Sequence, residues 1–350
     1  MRRRRSMAAI AVDQSLISLK IGSRAASNHD QHGGVIEEIE GLIKVYKDGH
    51  VERPAIVPYV TAALAPELGV TSKDIVIDKL TNVWARFYVP NYTNRPGNQQ
   101  LIPLAVYFHG GGFCVGSTAW ICYHEFLAKL AAKAGCVIMS INYRLAPENP
   151  LPAAYEDGIK SVMWLKQEAG NYEYWWWSKQ CDFSSVFLAG DSAGANIAHN
   201  VAARLGSYIN NPLTLKGTIL IQPFFGGEAR TDSEKKMVQS PRSALSLAAS
   251  DTYWRLALPC GTNRDHPWCN PLPLGKGSTN LPPTLVCISE MDILKDRNLE
   301  FCAAMEKAGQ NVEHVMYKGV GHAFQVLSKS QLSQTRTHEM IAHLNVFLHH

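Results

Sequence analysis

The chain has 350 residues, of which 46% are hydrophobic and 18% are charged. This composition supports a sizeable core and excludes a disordered tail protein or a fibrous repeat. The formal charge is +4, and four of the 34 basic residues stand together at positions 2–5. Outside that run 30 basic residues balance 30 acidic ones, so the body predicts no nucleic-acid surface. No apolar run reaches about 18 residues, so no membrane span is predicted.

The N-terminal part predicts a polar segment followed by a short hairpin and a further pair of strands. Residues 1–35 are polar and lack periodicity, and we expect a flexible segment there. Residues 41–46 and 50–53 flank an Asp-Gly pair, which favours the positive φ of a tight hairpin turn. Residues 75–77 and 84–89 predict the next two strands, and a loop rich in Pro, Gly and Asn follows.

From about residue 104 short apolar runs alternate with longer helical patterns. The apolar runs are 104–108, 136–141, 186–189, 218–221, 284–288 and 312–317. The helical patterns are 124–134, 153–168, 195–205, 298–308 and 334–348. Strands that are apolar on both faces and separated by helices indicate a mostly parallel sheet covered by helices on both faces. The predicted fold class is therefore α/β.

One segment of about sixty residues, 224–283, interrupts this alternation. It contains polar loops and a short helical pattern at 244–258. We expect an insertion that forms a lid over the carboxyl edge of the sheet, where ligands bind in such folds. Residues 36–350 are thus predicted to form one domain behind a flexible segment at 1–35.

The sequence Gly190-Asp191-Ser192-Ala193-Gly194 matches the G-x-S-x-G pattern of a serine nucleophile. It lies after a predicted strand and before a predicted helix, as a sharp strand-to-helix turn requires. Such a turn projects the Ser192 hydroxyl above the sheet, with the helix N-terminus behind it. The pentapeptide alone also fits the glycine-rich start of an ordinary helix. Its interpretation as a nucleophile turn therefore depends on the predicted strand before it and the predicted helix after it.

A second glycine-rich loop, His109-Gly110-Gly111-Gly112, follows the strand at 104–108. Consecutive glycines expose backbone N–H groups that no side chain shields. Such a loop can donate two hydrogen bonds to an oxyanion, and the amide of Ala193 can donate a third. We expect His109 to orient this loop rather than to transfer protons. A flexible turn is the alternative reading.

A serine nucleophile needs a base, and the base needs a carboxylate that orients it. His322 is the best candidate for the base, because it lies in a glycine-bracketed loop after the last apolar run. Asp292 follows the run at 284–288 and is the preferred acid, with Glu290 as the alternative. Asp296 precedes a helical pattern and suits a helix cap. The order Ser192, Asp292, His322 is that of α/β-hydrolases.

Aromatic residues in the loops and the insertion predict an apolar pocket for a small or medium ester. The candidate substrate-binding residues are Phe113, Trp120, Phe224, Phe225, Tyr253 and Trp254. The alternative is that most of these side chains anchor the lid to the body of the protein.

No metal site and no cofactor are predicted, because Cys and His residues do not cluster as metal ligands do. The eight cysteines are scattered without a secretory signal, and we expect reduced thiols in the cytoplasm, with the nucleus as an alternative. The expected partner is a small-molecule ester. We expect a monomer or homodimer that binds neither nucleic acid nor membrane.

In several segments the chain resembles the plant carboxylesterases of the hormone-sensitive-lipase-like α/β-hydrolase group, which includes the gibberellin receptors. The segments are His109-Gly110-Gly111-Gly112-Phe113, Asn142-Tyr143-Arg144-Leu145-Ala146-Pro147-Glu148, Leu151-Pro152-Ala153-Ala154-Tyr155-Glu156-Asp157, 190–194, Asp292-Ile293-Leu294-Lys295-Asp296-Arg297 and Gly321-His322-Ala323-Phe324. The resemblance implies Ser192, Asp292 and His322 as catalytic residues and the amides of Gly111, Gly112 and Ala193 as the oxyanion hole. It also implies an N-terminal segment that helps to cap the site.

The predicted function is that of a serine carboxylesterase acting through an acyl-enzyme. Relatives in this group have reused the site, so a lyase, cyclase or acyltransferase acting on a plant specialised metabolite is an alternative. A gibberellin-receptor-like hormone-binding protein is a further alternative. The receptor branch lacks the catalytic histidine at the position of His322, which favours hydrolysis here.

Overall fold

The structure is a computed structural model that describes residues 32–91, 101–170, 176–206, 211–238, 243–272 and 281–350. A small antiparallel sheet comes first, formed by β1 (Val35–Ile39), β2 (Ile43–Tyr46) and β3 (Val51–Glu52). The predicted hairpin corresponds to β2 and β3, with Val45 opposite Val51. Strand β1 was not predicted, since its two consecutive glutamates hide the apolar alternation. Most of the predicted flexible segment, 1–31, lies outside the described residues.

The described residues form a second sheet of eight strands. Its members are β4 (Val70–Asp78), β5 (Val83–Pro90), β6 (Ile102–Phe108), β7 (Val137–Asn142), β8 (Cys181–Asp191), β9 (Leu215–Ile221), β10 (Thr284–Ser289) and β11 (Val312–Tyr317). The spatial order is β11-β10-β9-β8-β6-β7-β5-β4. Strand β5 runs antiparallel to both of its neighbours, and all other neighbours pair in parallel. The sheet is therefore mostly parallel, as predicted.

Helices cover both faces of this sheet. They are α1 (Ile121–Ala134), α2 (Ala153–Ala169), α3 (Ala193–Leu205), α4 (Asp232–Lys236), α5 (Leu247–Ala257), α6 (Lys295–Lys307), α7 (Phe324–Leu327) and α8 (Gln331–His349). Alternate residues of β8 contact the two layers: Val186 and Leu188 join the core with α2, α3 and α6, whereas Phe187 and Ala189 join the core with α1 and α8. Both faces are buried, which confirms the predicted α/β class.

Several elements begin earlier than their sequence patterns indicated. Helices α1, α6 and α8 each start three residues before the predicted position, and β8 starts five residues before it. For α8 the reason is visible, because the Ser330 side chain accepts a hydrogen bond from the Ser333 amide and caps the helix. The first turns of α6 and α8 are polar and carry no apolar periodicity, so the patterns placed these two boundaries too late.

The predicted insertion contains α4 and α5, and α5 matches the helical pattern at 244–258. A buried ion pair between Arg297 and Glu234, at 3.0 Å, ties α4 to α6. Arg255 of α5 pairs with Glu37 of β1 at 2.7 Å. These contacts tie the insertion to α6 and to the small sheet. The limits of the domain and of the insertion stay predictions.

All eight cysteines are free thiols, so the structure holds no disulfide. Within the described ranges, the helices are either too short or too polar to cross a membrane. The same part of the chain contains no group of three or more His, Cys, Asp or Glu side chains placed to hold a metal ion.

Candidate active site

Ser192 occupies the turn between β8 and α3, at the carboxyl end of the central strands. Its backbone has φ 53° and ψ −120°, a strained conformation for a residue with a side chain. The turn is packed tightly against β6, because a Cβ atom on Gly194 would lie 1.9 Å from the carbonyl oxygen of Phe108. A glycine is required at position 194 for this reason. The local sequence thus folds into the sharp turn that a serine nucleophile needs.

His322 lies in the loop between β11 and α7, and Asp292 lies in the loop after β10. The Nε2 atom of His322 is 2.9 Å from the Oγ atom of Ser192. Its Nδ1 atom is 2.7 Å from Oδ2 of Asp292. The structure therefore brings together three side chains that are far apart in the sequence, in the order of a serine–histidine–carboxylate chain.

The three acids after β10 have separate partners. Asp292 is 1% exposed, and its Oδ1 accepts a hydrogen bond from the Leu294 amide at 3.0 Å, which fixes the carboxylate toward His322. Glu290 accepts from the amide of Gly319 at 2.9 Å. Asp296 lies in the first turn of α6 and accepts from the amide of Ser233 at 2.6 Å. Asp292 is thus the acid placed against the imidazole.

Two carboxylates set the protonation of His322. Burial alone disfavours the imidazolium, but the charge and hydrogen bond of Asp292, together with the charge of Asp191, outweigh it. The net result is a pKa of His322 above its usual value. An imidazole in this setting is suited to accept the proton of the Ser192 hydroxyl.

The glycine loop presents free backbone amides next to this chain of side chains. Among the described residues no protein atom accepts a hydrogen bond from the amides of Gly111, Gly112 or Ala193. The loop is tightly wound, since the amides of Cys114 and Val115 both donate to the Gly111 carbonyl at 3.0 Å. Gly112 lies directly under an aromatic ring, where an added Cβ atom would be 2.2 Å from Cγ of Tyr253. These are the donors that the resemblance implied for an oxyanion hole.

A cavity of about 110 Å³ opens onto Ser192 and His322. Of the six predicted aromatic residues, Trp120, Phe224 and Tyr253 line it. The sequence did not indicate several further lining residues: Leu42, Ile56, Val57, Val115, Tyr123, Ala244, Leu245 and Leu327. Three of these precede the central sheet in sequence, so only their long-range packing could reveal them.

Phe113, Phe225 and Trp254 do not line this cavity, so their predicted substrate contact finds no support there and stays a prediction. Trp254 stacks on Phe224 with ring centroids 4.6 Å apart, and the Phe113 ring lies 5.4 Å from Trp254. Phe225 packs on Phe301 of α6 at 4.8 Å. All three are at most 2% exposed, because they fill the core between the insertion and the helices. This packing agrees with the alternative, in which such side chains anchor the insertion to the body of the protein.

The polar environment of the cavity is sparse. In the described part of the chain no Lys or Arg side chain lines it. The indole Nε1 of Trp120 is buried and has no hydrogen-bond partner among the residues described. The cavity therefore offers a mainly apolar wall next to the hydroxyl of Ser192 and the unused amides of the glycine loop.

Comparison with known proteins agrees with this geometry. Residues 105–326 match a protein-family model described as the alpha/beta hydrolase fold. The chain is 55% identical over 324 residues to probable carboxylesterase 6 of Arabidopsis thaliana, which covers 93% of this chain and 94% of that protein. It is 37% identical over 268 residues to the gibberellin receptor GID1A of the same plant, covering 73% of this chain and 75% of the receptor.

A solved esterase from Pyrobaculum calidifontis superposes with a TM-score of 0.64 at 27% identity, covering 79% of this chain and 84% of the esterase. The sheet order, the strand-to-helix turn at Ser192 and these likenesses all agree. The predicted fold and family are therefore confirmed: the chain belongs to the α/β-hydrolase family, among the plant carboxylesterases related to the gibberellin receptors.

Proposed function

We propose that this protein is a serine carboxylesterase that hydrolyses small to medium carboxylic esters through an acyl-enzyme. The observation that carries the proposal is the hydrogen-bonded chain Ser192–His322–Asp292 beside unused backbone amides. The likeness to probable carboxylesterase 6 over nearly the whole chain supports the same activity.

Acylation begins when the Ser192 oxygen attacks the ester carbonyl carbon. His322 accepts the hydroxyl proton at Nε2, and Asp292 stabilises the resulting imidazolium through Nδ1–H. The carbonyl oxygen becomes an oxyanion, which the amides of Gly111, Gly112 and Ala193 stabilise. One such donor contributes on the order of 10²–10³ in rate. His322 then protonates the departing alcohol, and the acyl group remains on Ser192.

Deacylation repeats these steps with water in place of the hydroxyl. His322 removes a proton from the water as it attacks the acyl carbonyl, and the oxyanion forms again at the same amides. The tetrahedral intermediate collapses, Ser192 leaves with the proton held by His322, and a carboxylic acid is released. Every proton donor and acceptor in this cycle comes from the chain itself or from the reactants.

The cavity supports an uncharged, largely apolar substrate. Its lining side chains are mainly apolar, and its charged or titratable members are Asp191 and His322 beside the tyrosines. A carboxylate near the reacting centre disfavours an anionic ester by charge repulsion.

The remaining parts of the proposal concern assembly and location. All members of the site come from one chain, so a monomer suffices and a homodimer needs no shared site. Eight unpaired cysteines agree with a reducing compartment and support the cytoplasm, with the nucleus as the alternative.

The test combines covalent labelling with ester turnover in wild type, Ser192→Ala and Ser184→Ala. Ser184 lies at the exposed start of the same strand, so it provides a matched control. A fluorophosphonate probe and p-nitrophenyl esters from acetate to octanoate serve as reagents. We expect wild type and S184A to label and turn over equally, and S192A to lose labelling and to lose kcat by about 10⁴-fold or more.

Other outcomes separate the alternatives. Labelling of Ser192 without turnover of any ester would favour a triad-using lyase, cyclase or acyltransferase. Absence of both labelling and turnover in wild type would overturn the enzymatic proposal and favour a hormone-binding protein. Undiminished turnover in S192A would exclude Ser192 as the nucleophile.

A further inference from the structure

A buried carboxylate that the proposed reaction cycle does not use lies next to the nucleophile. Asp191 is the last residue of β8 and is 1% exposed. Its Oδ1 accepts a hydrogen bond from the Tyr107 hydroxyl at 2.8 Å, and its Oδ2 accepts one from the Tyr123 hydroxyl at 3.0 Å. Within the described ranges no Lys or Arg side chain pairs with it. A buried charge without a cation is costly, so its presence calls for a function.

Asp191 also holds the start of the glycine loop. The amide of Gly110 donates to Oδ1 of Asp191 at 3.1 Å and to the Tyr123 hydroxyl at 2.8 Å. An added Cβ atom on Gly110 would lie 2.8 Å from Oδ2 of Asp191, so the loop backbone rests directly on the carboxylate. The amides of Gly111 and Gly112 follow at once in the chain. Their direction therefore depends on where Asp191 fixes Gly110.

The same carboxylate acts on His322 through its charge, since both residues line the same cavity. Burial raises the pKa of Asp191 to about 6, while the hydroxyls of Tyr107 and Tyr123 and the nearby His322 lower it. In turn, Asp292 and Asp191 are the two charged groups that raise the pKa of His322. Asp292 comes from the loop after β10 and Asp191 from the end of β8. Two separate parts of the chain therefore each place a carboxylate near the imidazole.

We propose that Asp191 is a positioning residue for the ester hydrolysis proposed above: it fixes Gly110 so that the following amides meet the oxyanion, and its charge helps to stabilise protonated His322. The inference rests on the proposed function of Ser192. Tyr107 and Tyr123 contribute to this role, because their hydroxyls donate hydrogen bonds that fix the Asp191 carboxylate and leave its negative charge in place.

A purely structural role for Asp191 makes a different prediction. A carboxylate that only stabilises the turn would change the amount of folded enzyme, and its loss would leave the pH profile of the folded fraction unmoved. A positioning role changes kcat at nearly constant KM, since the oxyanion contacts form in the transition state. It also moves the acid limb of the kcat/KM profile, because that limb reports the protonation of His322.

The test compares Asp191→Asn, Tyr107→Phe and Asp157→Asn with wild type, using p-nitrophenyl acetate and a thermal unfolding assay. Asp157 is an equally buried carboxylate, paired with Arg144 at 2.7 Å, away from the cavity. D191N should lower kcat by about 10- to 100-fold with KM nearly unchanged, and shift the acid limb to lower pH. Y107F, which removes one donor outside the cavity, should lower kcat by about three- to tenfold. D157N should lose stability and keep the wild-type kcat and acid limb.

The outcomes decide between the proposals. Folded D191N with a wild-type kcat and acid limb would overturn the inference, as would an equal shift of the acid limb in D157N. If D191N fails to fold, Y107F decides, and an unchanged kcat in Y107F refutes the role. If wild type neither labels nor hydrolyses esters, the proposed function itself fails, which is a distinct result.

Discussion

The two carboxylates near His322 differ in how they meet the imidazole. Asp292 forms a direct hydrogen bond to Nδ1 at 2.7 Å, whereas Asp191 acts through its charge and through the glycine loop. A direct bond selects the tautomer that leaves Nε2 free to accept a proton from Ser192. We therefore expect the loss of Asp292 to cost far more activity than the loss of Asp191.

Asp292→Asn should lower kcat on the order of 10⁴-fold, because the amide can stabilise the wrong imidazole tautomer. The residual activity should have its acid limb at lower pH, since the carboxylate raises the pKa of His322 and neutral His322 is the active form. Both effects are measured from kcat/KM at several pH values between about 4 and 9, in stopped-flow or long-time assays.

Glu290→Gln is the matched control for this change. Glu290 lies two residues away and bonds to the amide of Gly319 rather than to His322. Its variant should keep the kcat and the acid limb of wild type. A larger loss in E290Q than in D292N would mean that Glu290, the alternative acid in the sequence, orients the base.

For residues that stand in sequence motifs, a place at the site could be predicted from the sequence. For residues whose place depends only on packing, it could not. Ser192 and Gly112 stand in motifs whose spacing implies a strand end. By contrast, nothing local distinguishes Tyr253, which faces the cavity, from Trp254, which faces the core. One step along α5 turns a side chain by about 100°, and only the docked helix shows which face is inward.

At the scale of elements, the glycine loop and α5 meet at one contact. Gly112 has φ 58°, and Tyr253 packs so closely that a Cβ atom would lie 2.2 Å from its ring. Gly112→Ala should therefore displace the loop amides or the helix, and lower kcat by about 10²-fold. The kinetics of p-nitrophenyl acetate hydrolysis measure this loss.

Gly261→Ala is the control that separates the effect of the contact with Tyr253 from the effect of a positive φ. Gly261 also has a positive φ, of 80°, but an added Cβ atom would meet nothing within 4 Å. G261A should lose about 1 kcal/mol of stability and keep its kcat. Adding Tyr253→Ala to G112A should restore part of kcat, and no recovery would assign the loss to the backbone conformation instead.

The elements themselves were predicted where both faces of a strand are buried. Strands β6 to β10 carry the apolar runs of a covered sheet, so their existence followed from the sequence, whereas the edge strand β11 is only partly buried. The short helix α7 was not predicted, because four residues are too few for a visible period. Nor was the antiparallel direction of β5, since neighbour relations depend on pairing and not on local pattern.

At the scale of the whole molecule, the cavity is assembled from three separate parts of the chain. Leu42, Ile56 and Val57 come from the N-terminal part, Leu245 and Tyr253 from the insertion, and the reacting groups from the central sheet. The motifs predicted which side chains meet at the carboxyl edge of the sheet, but not the size of the pocket. Its volume depends on how these parts pack together, which no local pattern encodes.

The volume of the cavity sets an expectation for the acyl chain. A cavity of about 110 Å³ is small for a ligand site, since such sites usually span about 300–1,000 Å³. We expect kcat/KM to be highest for p-nitrophenyl esters from acetate to butyrate, and to fall at least about tenfold for octanoate.

Leu245→Ala, which removes a buried side chain from the wall of the cavity, should raise the ratio of kcat/KM for octanoate to that for acetate. Leu256→Ala, a buried leucine of α5 outside the lining, should leave that ratio unchanged while lowering stability by about 2–5 kcal/mol. Equal ratios for both variants, or a wild-type preference for octanoate, would show that this cavity does not hold the acyl chain.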